Sequence, residues 1–160
     1  MIFKALIATL AAASMTAPGA TMAQERPVSL SSDVKLVRVV QDAEQGNAAR
    51  TELVEPQSVV PGDTLAFSIS YRNGGGDPVT DFVIVNPVPA NVQLSDESAA
   101  ASEVSIDGGQ SWGMLDTLSV AQADGEDRPA TAADVTHLRW RIALLTPGEE
   151  GTASFRAIVR

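Results

Sequence analysis

The stretch that most constrains this chain runs from Leu65 to Arg72, where Leu65, Phe67, Ile69 and Tyr71 alternate with Ala66, Ser68, Ser70 and Arg72. A period of two belongs to an extended strand with one face buried and the other wet; a helix would scatter the same side chains around its circumference. Pro61-Gly62-Asp63-Thr64 turns the chain into this strand, and Asn73-Gly74-Gly75-Gly76-Asp77-Pro78 ends it. A second strand follows over residues 80–85 and is stopped by Asn86-Pro87-Val88-Pro89. Two strands about a glycine-rich connection predict the centre of a small all-β domain.

The flanking sequence extends the pattern. Residues 34–40 and 50–54 are β-branched and strand-like, separated by a loop containing Gly46-Asn47. Residues 92–95 predict a short strand, 96–102 a small acidic loop, and 103–106 alternate again. Asp107-Gly108-Gly109 supplies a hairpin turn, because glycine takes positive φ without steric cost, and Ser111-Trp112 starts the return. Residues 115–134 predict a loop insertion in which 118–120 pair briefly. Residues 135–145 form a strong strand with Leu138, Trp140, Ile142 and Leu144 on one face and Arg139 and Arg141 on the other. Thr146-Pro147-Gly148 turns the chain into a last strand over 152–159. Seven or eight short strands with turn signals between them predict an antiparallel β-sandwich whose core is Leu65, Phe67, Ile69, Tyr71, Phe82, Ile84, Leu138, Trp140, Ile142 and Phe155.

The first residues do not belong to that sandwich. Lys4 precedes an apolar run over residues 5–13, and Ser14 to Ala23 turn small and polar with Pro18-Gly19 as a breaker. This is the pattern of a secretory signal peptide, 1–23, cleaved after Ala23. Its apolar run is about half of the roughly 20 residues a bilayer span needs. Residues 24–33 predict a flexible arm, and 34–160 the sandwich. The chain has no Cys, so neither a lipoprotein anchor nor a disulfide is expected and apolar burial must hold the fold. No second apolar run offers a membrane anchor. With Lys4 removed, ten basic side chains face twenty acidic ones. Such a surface repels nucleic acid and anionic lipid.

The stretch from Val60 to Gly75, in which proline-glycine-aspartate leads into an alternating strand ending in asparagine-x-glycine, resembles the first half of a bacterial conserved-repeat domain of unknown function. Val79 to Ala90 is similar to its next segment, a strand running into a proline corner, and Leu145-Thr146-Pro147-Gly148-Glu149 with the final strand is similar to its end. Ser105-Ile106-Asp107-Gly108-Gly109 and Thr136-His137-Leu138-Arg139-Trp140 resemble a single-domain secreted subgroup. The resemblance covers residues 34–160. It implies an immunoglobulin-like fold, a periplasmic or cell-surface location, a structural or protein-interaction role, and neither a catalytic residue nor a cofactor.

Several constellations carry alternative chemistries. Gly109-Gln110-Ser111-Trp112-Gly113 matches the G-x-S-x-G nucleophile motif, and Asp134 and His137 follow in hydrolase order. That motif requires a strand-turn-helix context, whereas here it follows a hairpin turn. Asp96, Glu97, Asp107, Asp124, Glu126 and Asp127 lie in loops that a sandwich gathers at its ends. Of these, Asp96, Asp107, Asp124 and Asp127 are the calcium candidates, although their spacing matches no EF-hand loop. His137 stands alone, without a second histidine or a cysteine to share a metal. Arg139 and Arg141, joined by Arg72 and Arg156 if those strands are neighbours, form a basic stripe that either receives an acidic partner or pairs with Glu and Asp across strands. The last strand and the 24–33 arm both offer backbone for pairing with a second chain. The expectation is an exported, non-catalytic interaction module, or a subunit of an extracellular assembly joined by an edge strand or the arm.

Overall fold

The computed structural model describes residues 27–42, 48–123 and 125–160. In chain order the strands are β1 (Val28–Asp42), β2 (Ala48–Val54), β3 (Thr64–Asn73), β4 (Val79–Pro87), β5 (Val92–Leu94) and β6 (Glu103–Ser105). Then come β7 (Gly113–Met114), β8 (Ser119–Ala121), β9 (Asp127–Pro129), β10 (His137–Leu145) and β11 (Glu150–Val159), with one helix, α1 (Asp96–Ala100), between β5 and β6. One sheet runs β2-β1-β3-β11-β5, the second runs β4-β10-β6-β7, and β8-β9 is a separate hairpin. Every pairing is antiparallel. The protein is an antiparallel β-sandwich.

The alternation in β3 does what the sequence predicts. Leu65 and Ile69 are buried, and Phe67 and Tyr71 pack against the same core. Phe155 on β11 lies opposite Phe67 in register, and the two rings stack with centroids 4.6 Å apart and planes 2° from parallel. Trp140 from the second sheet meets Phe155 at 6.2 Å. All ten expected core residues belong to this cluster. Across from Tyr71 on β11 stands Gly151. A Cβ there would fall 2.4 Å from the Tyr71 Oη, so the absence of a side chain lets the ring lie across the neighbouring strand.

The glycine-rich connection does not close a hairpin. β3 and β4 belong to different sheets, and Asn73 makes the crossing possible. Its side chain is fully buried. Nδ2 donates to the carbonyls of Asp77 at 2.8 Å and Leu145 at 3.0 Å, and Oδ1 accepts from the Gly75 amide at 3.0 Å. Its own backbone receives the Gly148 amide and donates to Glu149. One residue thus ties the β3–β4 crossing to the β10–β11 turn, satisfying backbone groups that a dry corner would otherwise orphan.

Several expectations change. Residues 28–33, expected as part of a flexible arm, form the first half of β1 and pair with β3 from Val28–Asn73 onward. Ser29, Ser31 and Asp33 are polar because they point away from the core, which makes the segment read as a loop. Residues 24–26, the signal segment 1–23 and the Gly46-Asn47 loop lie outside the described residues. The expected 96–102 loop contains α1, whose N-cap Ser95 accepts from the Ser98 amide at 3.3 Å and whose first turn carries Asp96 and Glu97. The 115–134 insertion holds two 3₁₀ turns, Leu115–Thr117 and Ala132–Asp134, around the β8-β9 hairpin. Leu144 is exposed, and Leu145 is buried instead. The β4–β10 ladder is interrupted beside Leu144, opposite Asp81, which sits at φ 52°, a left-handed conformation uncommon outside glycine. Beyond that interruption the strand presents Leu145 rather than Leu144 to the core. The last strand is no free edge: β11 lies between β3 and β5.

Candidate interaction face

The second sheet turns one face to the core through Ile84, Leu138 and Val104 and the other outward. In register across its four strands, that outer face reads Val85–Arg139–Glu103–Met114. Val83 and Arg141 form the adjoining pair. Arg139 grips Glu103 with both arms of its guanidinium, Nε to Oε2 at 2.6 Å and Nη2 to Oε1 at 2.5 Å. Arg141 donates through Nε to the same Oε2 at 3.1 Å. Two cations share one carboxylate, so this cluster is net positive on a chain whose formal charge is −9. The Arg139 and Glu103 side chains are 16% and 30% exposed, and that of Arg141 is 60% exposed. Arg141 therefore keeps donors for another molecule. Val83, Val85 and Met114 surround the arginines as exposed apolar side chains.

A rigid loop supports this row from below. The Asp107 carboxylate accepts from the Ser105 hydroxyl at 2.7 Å, the Gln110 amide at 3.0 Å, and the amide and hydroxyl of Ser111 at 2.9 and 2.5 Å. Ser105 Oγ accepts from the Gly109 amide at 2.8 Å. Gly108 and Gly109 supply φ values of 77° and 90°, which the turn demands and a side chain would resist. The Trp112 indole N–H donates to the Gly109 carbonyl at 2.9 Å. The ring is thereby fixed under Arg139, whose Cζ lies 4.5 Å from its centroid, within the range of a cation–π contact. His137 meets the same ring edge-on at 6.4 Å.

No family model, curated protein or solved structure matches this chain. The site is therefore argued from its own chemistry. Ser111 spends its hydroxyl on Asp107. Asp134 is held by Arg128 at 2.8 and 2.6 Å and closes a capping box with Thr131. His137 Nδ1 shares a hydrogen bond with Thr136 at 3.1 Å. Each member of the hydrolase-ordered set is engaged by a residue within six positions of it in sequence. Of the calcium candidates, Asp96 opens α1, Asp107 ties the loop above, Asp127 lies in β9, and Asp124 falls outside the described residues. Among the described residues no three His, Asp or Glu side chains converge on a metal position. Arg72 and Arg156 do not join Arg139 and Arg141, because they stand on β3 and β11 of the other sheet. The pairing of Arg139 and Arg141 with an acid on a neighbouring strand is as expected. The parts of the face that sequence reasoning did not assemble are Glu103, Trp112, Met114, Val83 and Val85. The Asp107-Gly108-Gly109 turn was the available signal, since a hairpin there folds 112–114 back toward 103.

The guanidinium of Arg139, and then that of Arg141, draws the Glu103 carboxyl down from 4.5 to about 2. Hydrogen bonds led by the Ser111 hydroxyl hold the Asp107 carboxyl well below the usual range. A carboxyl whose folded pKa is lowered stabilises the fold above its unfolded pKa, and that contribution is lost as pH falls toward the folded value. The surroundings of Trp112, followed by fluorescence in a Trp140→Phe background, are expected to hold steady above pH 4.5 and to loosen between 4.5 and about 2. Glu103→Gln should reduce the change in that window, leaving the part that Asp107 contributes; an unchanged profile would detach the transition from Glu103.

Proposed function

We propose that this chain is a non-catalytic, exported module of the bacterial conserved-repeat type that binds an acidic segment of a partner protein at the periplasm or cell surface. The observation that carries the reading is the Val85–Arg139–Glu103–Met114 row with Arg141 and Val83 beside it. A positive, partly apolar strip offers a partner carrying carboxylates among aliphatic side chains a local attraction that the rest of this acidic surface does not. The Trp112 platform holds Arg139 in one orientation before any partner arrives, which lowers the ordering cost of binding. The signal-like first 23 residues support export, and the absence of cysteine accords with a fold held by burial alone.

The test is calorimetric titration with a short peptide containing glutamate and valine in equal numbers. Binding is expected at low salt and should weaken as salt is raised. Arg141→Glu should reduce affinity roughly tenfold or more. Arg156→Glu, on the other sheet, should leave it unchanged. Equal loss in both variants, or none in either, would contradict the reading.

A second reading, assembly of copies edge to edge, is favoured by one observation. Among the described residues, β1 beyond Val37 pairs only with β2, so residues 38–42 and 48–52 form a two-stranded ribbon with an open outer edge. Val39 is 72% exposed on it, and Leu53, at its base opposite Val37, is 55% exposed. Open edges of this kind template further pairing. Size-exclusion chromatography is then expected to show multimers that Thr51→Pro, a substitution on the open strand, dissolves. A monomer at every concentration would remove this reading and leave the first intact.

A further inference from the structure

Asn73–Gly74 is the one Asn–Gly step in the chain, and neither the interaction face nor the ribbon uses it. In an unfolded chain such a step is chemically labile. Glycine places no Cβ beside its nitrogen, so the Gly74 amide nitrogen, once deprotonated by solvent base, reaches the Asn73 side-chain carbonyl carbon. A bond forms between the Gly74 nitrogen and Cγ, the Cγ–Nδ2 bond breaks, and ammonia leaves after taking a proton from water. The resulting cyclic imide then adds water at either carbonyl and opens to aspartate or isoaspartate.

The folded protein blocks each part of this. Asn73 is 0% exposed. Both hydrogens of Nδ2 are committed, to the Asp77 and Leu145 carbonyls, and Oδ1 holds the Gly75 amide. The nucleophile is engaged as well, since the Gly74 N–H donates to the Pro27 carbonyl at 2.7 Å. The Asn73 backbone on the other side of the bond is pinned by Glu149 and Gly148. Rotation of the side chain toward the Gly74 nitrogen would break three hydrogen bonds around a fully buried side chain.

The same contacts make the product incompatible with the fold. Aspartate at this position has oxygens where Nδ2 stood, so an acceptor and a charge face two carbonyl oxygens in a dry corner. Isoaspartate also lengthens the backbone by one carbon between β3 and the crossing. We propose that Asn73–Gly74 is a modification site kept closed by folding: the chain deamidates there when unfolded, and the deamidated chain does not regain the native sandwich. Unfolding then becomes progressively irreversible.

The experiment holds the protein in urea, and in the same mildly alkaline buffer without urea, and follows the 73–74 peptide by mass spectrometry. Conversion is expected in urea and absent in the folded sample over the same period. After dilution from urea, the converted fraction should remain unfolded while unconverted chains refold. Gly74→Ala separates chemistry from folding. A Cβ at Gly74 meets only the Pro27 oxygen, at 3.8 Å, so this variant should melt as wild type does, while its added Cβ slows conversion in urea roughly tenfold. Asn73→Asp should fail to reach the native fold at neutral pH. Acid, which protonates the new carboxyl so that it can donate to one carbonyl, should recover part of it. Equal conversion rates in folded and unfolded samples would overturn the proposal. So would a deamidated chain, or Asn73→Asp, with the wild-type melting temperature.

Discussion

Replacing Asn73 with alanine is expected to lower the unfolding free energy by about 3 kcal/mol, because an orphaned buried polar group costs about 1–3 kcal/mol and two part-buried hydrogen bonds are lost with it. The Leu145 carbonyl loses the Nδ2 donor at 3.0 Å, and Leu145 is itself fully buried, so water does not readily replace that donor. The Asp77 carbonyl and the Gly75 amide lose their partners at 2.8 and 3.0 Å. The residue's backbone bonds to Gly148 and Glu149 survive the change, so the strand end should persist while the crossing loosens. Urea denaturation measures the loss. Amide exchange locates it: Gly75 should lose protection before the centre of β3 does. A variant within half a kilocalorie of wild type would show that the crossing holds without this side chain.

Phe155→Ala is expected to cost about 3–5 kcal/mol, the usual range for removing a buried aromatic ring. The ring is 3% exposed. It stacks on Phe67 from its own sheet and meets Trp140 from the other, at 4.6 and 6.2 Å. It is therefore one of the side chains through which the two layers touch, as Tyr71 and Phe82 also do at 6.4 Å, and its loss leaves a cavity between the sheets. Phe67→Ala should cost less, because Phe67 is only half-buried. Urea midpoints with an unchanged slope are the measurement. Equal costs for the two residues would mean that the layers are not joined at Phe155.

How far such statements could be read from the chain differs by element. Strands β3, β10 and β11 were legible because each is half-buried along most of its length, and a half-buried strand writes its period directly into the sequence. The first half of β1 was not, because Ser29, Ser31, Ser32 and Asp33 leave too few apolar positions to mark a core face. Helix α1 spans five residues, little more than one turn, so its period could not accumulate; only the Ser95 cap and the acids after it betray it. The placement of β3 and β4 in different sheets was hidden for another reason. It rests on Asn73 reaching the Leu145 carbonyl, 72 residues away in sequence, and local pattern does not carry contacts of that range.

The candidate face was legible in the same uneven way. Arg139 and Arg141 flank Trp140 in sequence, so their common direction away from the core could be read from parity. Their separation from Arg72 and Arg156 could not, since it depends on which sheet each strand joins. Val83 and Val85 alternate with the expected core residues Phe82 and Ile84, but nothing in the sequence marked them as part of an interaction face. They are exposed because β4 is an edge strand that buries Ile84 and leaves its other face to solvent.

Chemical-shift mapping of the glutamate–valine peptide onto the labelled protein tests the account most directly. The expected result is a set of perturbations at Val83, Val85, Met114, the Arg141 side chain and the Trp112 indole N–H, with the outer face of β3 and β11 unmoved. Perturbations gathered instead along Ser68, Ser70, Thr152 and Ser154, or on the open edge of β2, would contradict it.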